Sequence, residues 1–249
     1  MKNLNKKSEE VSSFLREVYD ILFLTYGPQG WWPLITCNQE GGFDKRGYHK
    51  SLYTSPATKR QEFEIIIGAL LTQNTAWTNV EKALQILSEK NVLSSNAILQ
   101  EDTKTLAEYI RSAGYFRQKA ERLKGIAVYL KDHSDILKGE LFNLRKELLS
   151  LKGIGPETAD SIILYAAKKP IFVIDAYTKR IFSRIGLYPE NVSYENAQNL
   201  FMTNLPHKTE LFNEYHALLV ELAKKHCKTK PDCNTCPLKK KCSFHLGKK

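Results

Sequence analysis

The segment from Leu151 to Asp175 constrains the fold more than any other part of the chain, because it places a tight glycine turn between two apolar helical patterns. Gly153 and Gly155 of this LKGIG turn permit backbone angles and close approaches that a side chain would block. Pro156 suits the first position of the next helix, whose free backbone N–H groups would then point out of the turn. Such a helix start, with its positive dipole, favours a phosphate group. The segment therefore predicts a helical hairpin that can bind a polyanion.

Apolar residues recur at helical spacing along most of the chain. The pattern predicts helices at 11–22, 63–71, 80–93, 103–113, 118–130, 141–149 and 159–167. Residues 37–60 are polar and aperiodic, which predicts a long surface loop. The β-branched run at 171–174 is too short to found a sheet. The chain is therefore expected to be all-α, with two helical lobes and a cleft between them.

Charge and apolar content narrow the class of partner. A formal net charge of +10 predicts a polyanionic partner. Nine lysines and a single acid, Asp232, lie between Lys224 and Lys249, although a lysine-rich tail alone is usually a solvated end. No apolar run reaches the roughly 20 residues that cross a bilayer, and the first ten residues carry no secretory pattern. A cytoplasmic, nucleoid-associated protein is expected, with no membrane partner.

A cluster of cysteines in this basic tail indicates a metal centre. The cluster has the spacing C-x5-C-x2-C-x5-C and consists of Cys227, Cys233, Cys236 and Cys242. Disulfides are disfavoured in a cytosolic chain, so clustered thiols favour metal. One continuous loop suits a [4Fe–4S] cluster better than the two short pairs usual for structural zinc, which stays the alternative. Cys37 lies far away in sequence, and neither His216 nor His226 is expected to be a ligand while four cysteines suffice.

Together, the helical hairpin, an aspartate twenty residues beyond Gly155 and the four-cysteine loop resemble the endonuclease III superfamily of DNA glycosylases. The resemblance covers residues 31–242, apart from the 37–60 loop. It implies a six-helix barrel domain at 60–170 that carries the hairpin. It also implies a discontinuous domain of residues 1–59 and 171–249 around the cluster. The implied partner is double-stranded DNA containing a damaged base, which is flipped into the cleft, and the protein is expected to be a monomer.

Within this superfamily, four segments are similar to the 3-methyladenine glycosylase III group: 31–33 (WWP), 70–75 (LLTQNT), 114–123 (GYFRQKAERL) and 152–166 (KGIGPETADSIILYA). The likeness implies a base pocket that is lined by Trp31, Trp32, Pro33 and Trp77. The alternative is that these tryptophans are ordinary core aromatics.

Other positions match residues that the resemblance places at the DNA. Lys224 matches a lysine near the base pocket, although it could be one more member of the basic tail. Gln73 matches the residue that fills the gap left by the flipped nucleotide, although it could be an ordinary helix-end amide. A rigid basic finger on the DNA backbone is expected from Lys239, Lys240 and Lys241.

Asp175 matches the superfamily's catalytic aspartate. An anion beside the sugar C1′ atom stabilises an oxocarbenium-like transition state and can orient a water molecule. The same carboxylate could also cap the helix that begins at Ala176, and the two roles are compatible because a capping aspartate stays ionised.

Glu157 departs from the pattern of the bifunctional members, which carry a nucleophilic lysine at this position. A carboxylate cannot form the Schiff base that strand cleavage requires, so the resemblance implies a monofunctional glycosylase. Alkylated purines such as 3-methyladenine are the expected substrates, because they are cationic and leave readily, and cations stack on aromatic rings. Two alternatives stay open: a glycosylase or glycosylase/lyase for another lesion or a mismatch, and a non-catalytic DNA-binding module.

Overall fold

A computed structural model describes residues 2–37, 41–50, 56 and 58–247, with the backbone alone at 2–8. Parts of the predicted 37–60 loop (38–40, 51–55 and 57) and the last two lysines of the tail lie outside the described residues. Within the described residues the chain is helical and contains no β-strand, which confirms the all-α prediction. The α-helices are α1 Lys2–Tyr26, α2 Lys59–Leu71, α3 Trp77–Glu89, α4 Ser95–Gln100, α5 Thr103–Tyr109, α6 Phe116–Asp132, α7 Leu141–Ser150, α8 Pro156–Ser161, α9 Ala176–Ile185, α10 Tyr194–Asn204 and α11 Thr209–Lys225.

Contacts between residues divide the chain into two compact units. The first unit consists of Met1–Trp31 and Pro170–Lys249, and the second consists of Trp32–Lys169. The first unit is therefore discontinuous in sequence. Residues 32–59, which the sequence assigned to the cluster-bearing domain, group with the second unit.

The first unit is built on α1, which packs against α10 and α11, while α11 packs against α9. An aromatic core joins these helices: the rings of Phe172 and Phe201 stack with centroids 3.9 Å apart, and the Tyr215 hydroxyl donates to the carbonyl oxygen of Leu15 at 2.8 Å. The 171–174 run is neither helix nor strand and is buried, so its apolar residues fill this core without pairing as a strand. This buried run leads directly into Asp175.

The second unit packs α4 and α5 against α6, and α2 against the segment that follows α8. That segment, Ile162–Ala166, is a single turn of π-helix and is wholly buried. Polar caps begin several of these helices. Thr58 forms a reciprocal capping box with Gln61 at the start of α2, and Asp102 accepts backbone N–H groups at the start of α5.

Several predicted helices have different bounds in the structure. The predicted 80–93 helix ends at Glu89, and Asn91 takes a left-handed φ of 57° that starts a new direction. The predicted 103–113 helix ends at Tyr109 and continues as a short 3-10 turn, Arg111–Ala113. The structure also contains α4, which the periodicity did not reveal because its six residues are too few to show a helical period.

Among the described helices, none has both the length and the apolar character needed to cross a membrane.

Candidate functional site

Asp175 occupies the N-cap of α9, at the end of the buried 171–174 run. Its Oδ1 accepts the backbone N–H of Thr178 at 2.7 Å, which confirms the predicted capping role. Its side chain is 13% exposed, so the second carboxylate oxygen lies in a nearly dry environment. The cap fixes the orientation of the carboxylate and leaves Oδ2 for another partner.

His216 of α11 faces this second oxygen. Its Nε2 lies 3.7 Å from Asp175 Oδ2, and the residue is 4% exposed. Burial acts to raise the pKa of Asp175, but the interaction with His216 and the bond from Thr178 outweigh it, so the pKa lies below its usual value. Asp175 is therefore an anion at neutral pH although it is nearly buried. The sequence marked His216 only as a candidate metal ligand. Its contact with Asp175 depends on the packing of α11 against α9.

Trp31 belongs to the same unit and reaches this site through His216. The two rings meet edge to face with centroids 5.7 Å apart. The carbonyl oxygen of Trp31 accepts the Asn213 amide at 3.0 Å, and Lys224 Nζ lies 5.9 Å from the Trp31 ring centroid. The structure thus links three predicted site residues: Asp175 and Trp31 both contact the buried His216, and Lys224 lies over the Trp31 ring.

Trp32 has different surroundings, although it follows Trp31 directly. It is 5% exposed and lies in the second unit, where its ring meets Trp77 at 5.3 Å and Tyr165 at 5.1 Å. Gly68 of α2 makes this packing possible, since a Cβ there would lie 3.1 Å from Trp32 Nε1. Pro33 is buried as well. Trp32 and Trp77 therefore form a core-like aromatic cluster, and their predicted role in a base pocket stays a prediction.

The hairpin between α7 and α8 is rigidly held. Gly153 has a φ of 87°, and a Cβ on it would lie 2.5 Å from Arg122 Nε, so the turn requires glycine there. Gly155 is exposed, and a Cβ on it would meet nothing within 4 Å, which leaves open space in front of the backbone. A buried ion pair joins the two helices, with Arg145 Nε 2.7 Å from Asp160 Oδ1. The hairpin can thus present its turn to a ligand with little rearrangement.

Gln73 is bound to this hairpin. Its Nε2 donates to Gly153 O and to Thr158 Oγ1, both at 2.9 Å. Its Oε1 accepts Arg122 Nη1 at 2.5 Å. With both amide hydrogens and its oxygen engaged, Gln73 joins the turn after α2 to the hairpin. Its predicted insertion into DNA stays a prediction.

The four clustered cysteines form a half-buried loop after α11. Burial raises the pKa of the Cys236 thiol to about 11, and the charges of Cys227, Cys242 and Cys233 act in the same direction, so the four thiols lie close enough to interact electrostatically. Within the described residues, no three ligating side chains form the tight group that one metal ion needs. A four-iron cluster distributes its thiolates over different iron atoms, so wider spacing is compatible with it.

Helix α9 anchors this loop with two arginines. Arg180 Nε donates to the Cys227 carbonyl at 2.8 Å. Arg184 Nη1 lies 3.3 Å from Cys227 Sγ, and its backbone oxygen accepts the Cys242 thiol at 3.3 Å. The helix that Asp175 caps therefore also holds both ends of the cysteine loop.

Comparison with known families decides the identity of this assembly. Residues 67–207 match the profile of the "HhH-GPD superfamily base excision DNA repair protein" family, a stretch that contains both the hairpin and Asp175. The chain belongs to the HhH-GPD superfamily. It is therefore a DNA N-glycosylase of base excision repair with an endonuclease III-like fold.

Individual relatives agree with this assignment. The chain is 39% identical over 94% of its length to a Methanocaldococcus jannaschii protein provisionally named a DNA repair glycosylase, and it covers 98% of that protein. It is 29% identical to endonuclease III of Sulfolobus acidocaldarius, with 75% of this chain and 84% of the relative covered.

Solved structures of glycosylases share the fold. The H. pylori 3-methyladenine DNA glycosylase bound to 1,N6-ethenoadenine has a TM-score of 0.59 at 27% identity, with 69% of this chain and 91% of that chain covered. A non-covalent endonuclease III–DNA complex has a TM-score of 0.72 at 22% identity, with 95% and 97% covered. The chain thus belongs to the endonuclease III superfamily, with likeness to the 3-methyladenine group.

Glu157, the point of departure from the lyase pattern, is exposed in the first turn of α8. The residues after it, Thr158 and Ala159, are buried, so position 157 is the outward one at this helix start. At position 157 the HhH-GPD enzyme therefore presents a carboxylate and not an amine.

The lysines at the end of the cysteine loop form the 3-10 turn Lys239–Lys241. Lys239 Nζ donates to the Asn234 carbonyl at 2.6 Å, and Lys241 Nζ lies 2.5 Å from Glu17 Oε1 of α1. Lys240 is exposed between them. Two of the three predicted backbone-contacting lysines are thus bound within the protein, and Lys240 is the one that the turn presents outward.

Two exposed residues of the second unit escaped sequence reasoning. Asn74 and Tyr115 both have left-handed backbones, with φ of 53° and 47°. Tyr115 is 68% exposed, which is unusual for a large aromatic side chain, and it follows Gly114 in the GYF sequence at the start of α6. Bulky residues in this conformation are rare and often mark functional sites. Both residues lie in segments that resemble the 3-methyladenine group, 70–75 and 114–123, although neither residue was singled out there.

Proposed function

We propose that this enzyme hydrolyses the N-glycosidic bond of alkylated purines, such as 3-methyladenine, and does not cut the DNA strand. The observation that carries the proposal is the ionised, capped carboxylate of Asp175, which shares His216 as a neighbour with the ring of Trp31. The hairpin of the same chain bears Glu157 in place of a lysine. Similarity to the H. pylori enzyme, which is named for 3-methyladenine, supports the choice of substrate.

The chemistry follows from the charge of Asp175. As the glycosidic bond breaks, its electron pair goes to the base and neutralises the positive charge of an alkylated purine, so no acid has to protonate the leaving group. The sugar develops positive charge at C1′, which the Asp175 anion stabilises. A water molecule then adds to C1′ and loses a proton to solvent, which leaves an abasic site.

Selection of a cationic base would use the face of Trp31. Cation–π contacts contribute about 0.5–2 kcal/mol each, depending on desolvation. Lys224 Nζ lies over the same ring at 5.9 Å, so a stacked base would displace its ammonium group. A cationic base would replace the cation–π contact of Lys224 with one of its own, whereas a neutral base would not. Replacement of the ammonium group therefore favours cationic bases.

Binding to the DNA backbone would use the hairpin and the basic turn. The open space before Gly155 can admit a phosphate to the exposed backbone of the turn, and Lys240 offers a further cation. Because such contacts do not read base identity, they would hold damaged and undamaged duplexes alike.

A substrate panel tests this proposal directly. The purified protein is incubated with duplexes that contain 3-methyladenine, 7-methylguanine, thymine glycol, uracil or a mismatch, and released bases are quantified. We expect release of the methylated purines, and strands that break only after added alkali. Release confined to thymine glycol, uracil or mismatched bases would show that the enzyme acts on another class of lesion.

We also propose that Cys227, Cys233, Cys236 and Cys242 hold a [4Fe–4S] cluster with a structural role. The thiols interact electrostatically within a loop that α9 holds through Arg180 and Arg184. When bound, the cluster would tie the loop into one rigid unit by four thiolate bonds. Structural zinc in the same loop is the alternative.

Iron content distinguishes the two metals. We expect the purified protein to be brown, with a broad absorbance near ~400 nm and about four irons per chain. Cys227→Ser should lose iron and expose the loop to proteolysis, whereas Cys37→Ser, which changes the one cysteine far from the loop, should retain the metal of the wild type. A colourless protein that contains a single zinc would assign the site to zinc.

A further inference from the structure

Lys119 of α6 is a buried cation that the reaction described above does not use. It is 1% exposed. Its Nζ donates to three carbonyl oxygens, those of Leu71 at 2.8 Å, Gln73 at 2.8 Å and Ala113 at 2.7 Å. An ammonium group has three hydrogens, so this arrangement uses all of them. Leu71 and Gln73 belong to the end of α2 and the turn after it, whereas Ala113 belongs to the 3-10 turn before α6.

The two turns that Lys119 joins carry two exposed residues with left-handed backbones, Asn74 and Tyr115. Asn74 directly follows Gln73, and Tyr115 lies two residues beyond Ala113. Gly114, which lies between Ala113 and Tyr115, has φ 66° and ψ 159°, a conformation that is essentially restricted to glycine. Tyr115 therefore follows a residue whose conformation requires glycine, and Lys119 bonds the backbone of both turns.

The same network continues to the hairpin. Arg122 lies one turn after Lys119 on α6 and donates to the Gln73 side chain, which in turn bonds Gly153. Lys119 thus holds the backbone of Gln73 while Arg122 and the hairpin hold its amide. A surface built in this way moves as one body with the turn that is expected to hold the DNA backbone.

We propose that Lys119 is a positioning residue for DNA distortion: its ammonium group fixes the two turns against each other, so that Asn74 and Tyr115 enter the base stack together. The inference rests on DNA binding by this glycosylase and not on the class of lesion it removes. An exposed phenol ring is suited to the task, because aromatic side chains stack on bases of any identity.

The charge of Lys119 should make this distortion sensitive to pH. Burial, with the charge of Arg122, lowers the pKa of Lys119 to about 8. Arg122 lies on α6 itself. The charged groups of two neighbouring elements have partners of their own: Glu64 of α2 is bonded to Thr36, and Arg111 of the 3-10 turn is paired with Glu108. Above this pKa the amine retains two hydrogens for three carbonyls, and its hold on the turns weakens.

Stability should change in the opposite direction. Since the pKa of Lys119 is lower in the folded chain than its ordinary value of 10.5, unfolding takes up a proton between about pH 8 and pH 10.5. This residue therefore makes the folded state more stable as pH rises through that window, while the distortion of DNA declines. If Lys119 had only a structural role, the distortion of DNA would not decline with pH while the stability of the folded state rises.

The experiment uses a duplex that carries a tetrahydrofuran abasic analogue flanked by 2-aminopurine, whose fluorescence rises when it unstacks. Between pH 7 and pH 9 we expect the fluorescence increase caused by the wild-type protein to fall about tenfold, following the charged fraction of Lys119. Lys119→Arg stays charged and should remove this decline, whereas Lys119→Met should give a low signal at every pH. Tyr115→Ala should lower the signal equally at all pH values.

Lys124 offers a matched control on the same helix. Its ammonium also donates to backbone carbonyls, that of Leu99 at 3.0 Å and that of Glu101, but it joins neither turn. Lys124→Met should keep the wild-type pH profile.

A Lys119→Met protein with the wild-type profile, or a Tyr115→Ala protein with an unchanged signal, would overturn the inference. If Lys119→Met does not fold, the wild-type and Lys119→Arg profiles decide. The probe contains no lesion base, so the result is independent of the proposed substrate, and fluorescence anisotropy reports duplex binding separately.

Discussion

Asp175→Asn should lower the rate of base release at least about a hundredfold and leave duplex binding close to that of the wild type. Asparagine preserves the size of the side chain and can still accept the Thr178 N–H, so the start of α9 should remain intact. What is lost is the negative charge that stabilises the oxocarbenium-like sugar. Single-turnover release of a methylated purine measures the first effect, and anisotropy on an abasic duplex measures the second. Release above about a tenth of the wild-type rate, in a folded protein, would refute the catalytic role.

Two further variants separate charge from capping. Asp102 also caps a helix with its carboxylate, but it is exposed at the start of α5, so Asp102→Asn should leave base release unchanged. His216→Gln retains the Asp175 carboxylate but removes the partner that lowers its pKa. We therefore expect the acid limb of the pH–rate profile to shift to higher pH in His216→Gln, with a smaller loss at neutral pH than in Asp175→Asn.

Local sequence was sufficient for features that depend on neighbouring residues. The glycine turn, the cap at Asp175 and the four-cysteine loop each occupy a short segment, and the residue types alone favour one local structure. The family matched by residues 67–207 confirms the superfamily that these features indicated.

Tertiary contacts account for what the sequence did not reveal. His216 lies 41 residues beyond Asp175 and meets it only because α11 packs against α9. Trp31 and Trp32 look equivalent in the sequence, yet one contacts the histidine and the other is buried against Trp77. Lys119 resembles any other charge on a polar helix until the carbonyls around it are known. No periodic pattern marks such residues, because their partners come from distant parts of the chain.

Glu157→Lys should convert the enzyme into one that forms a borohydride-trappable adduct with DNA, while the unmodified protein should form none. Position 157 is exposed in the first turn of α8, so the substitution should lower the free energy of unfolding by only about 1 kcal/mol, mainly through the helix dipole. The positive end of the helix dipole lowers the pKa of an amine placed there and increases its neutral, nucleophilic fraction. Such an amine can attack C1′ and form the Schiff base that a carboxylate cannot.

Glu157→Gln is the matched control, since it removes the same negative charge without adding an amine. A trapped adduct in Glu157→Lys that is absent from Glu157→Gln would show that position 157 faces the sugar, as the resemblance to the bifunctional enzymes implies. Strand cleavage without added alkali should appear in the same variant, because β-elimination follows from the Schiff base. Efficient trapping of the unmodified protein would instead identify another amine as a nucleophile. Lys224, near the Trp31 ring, would then be the first residue to replace, and the enzyme would be a lyase as well as a glycosylase.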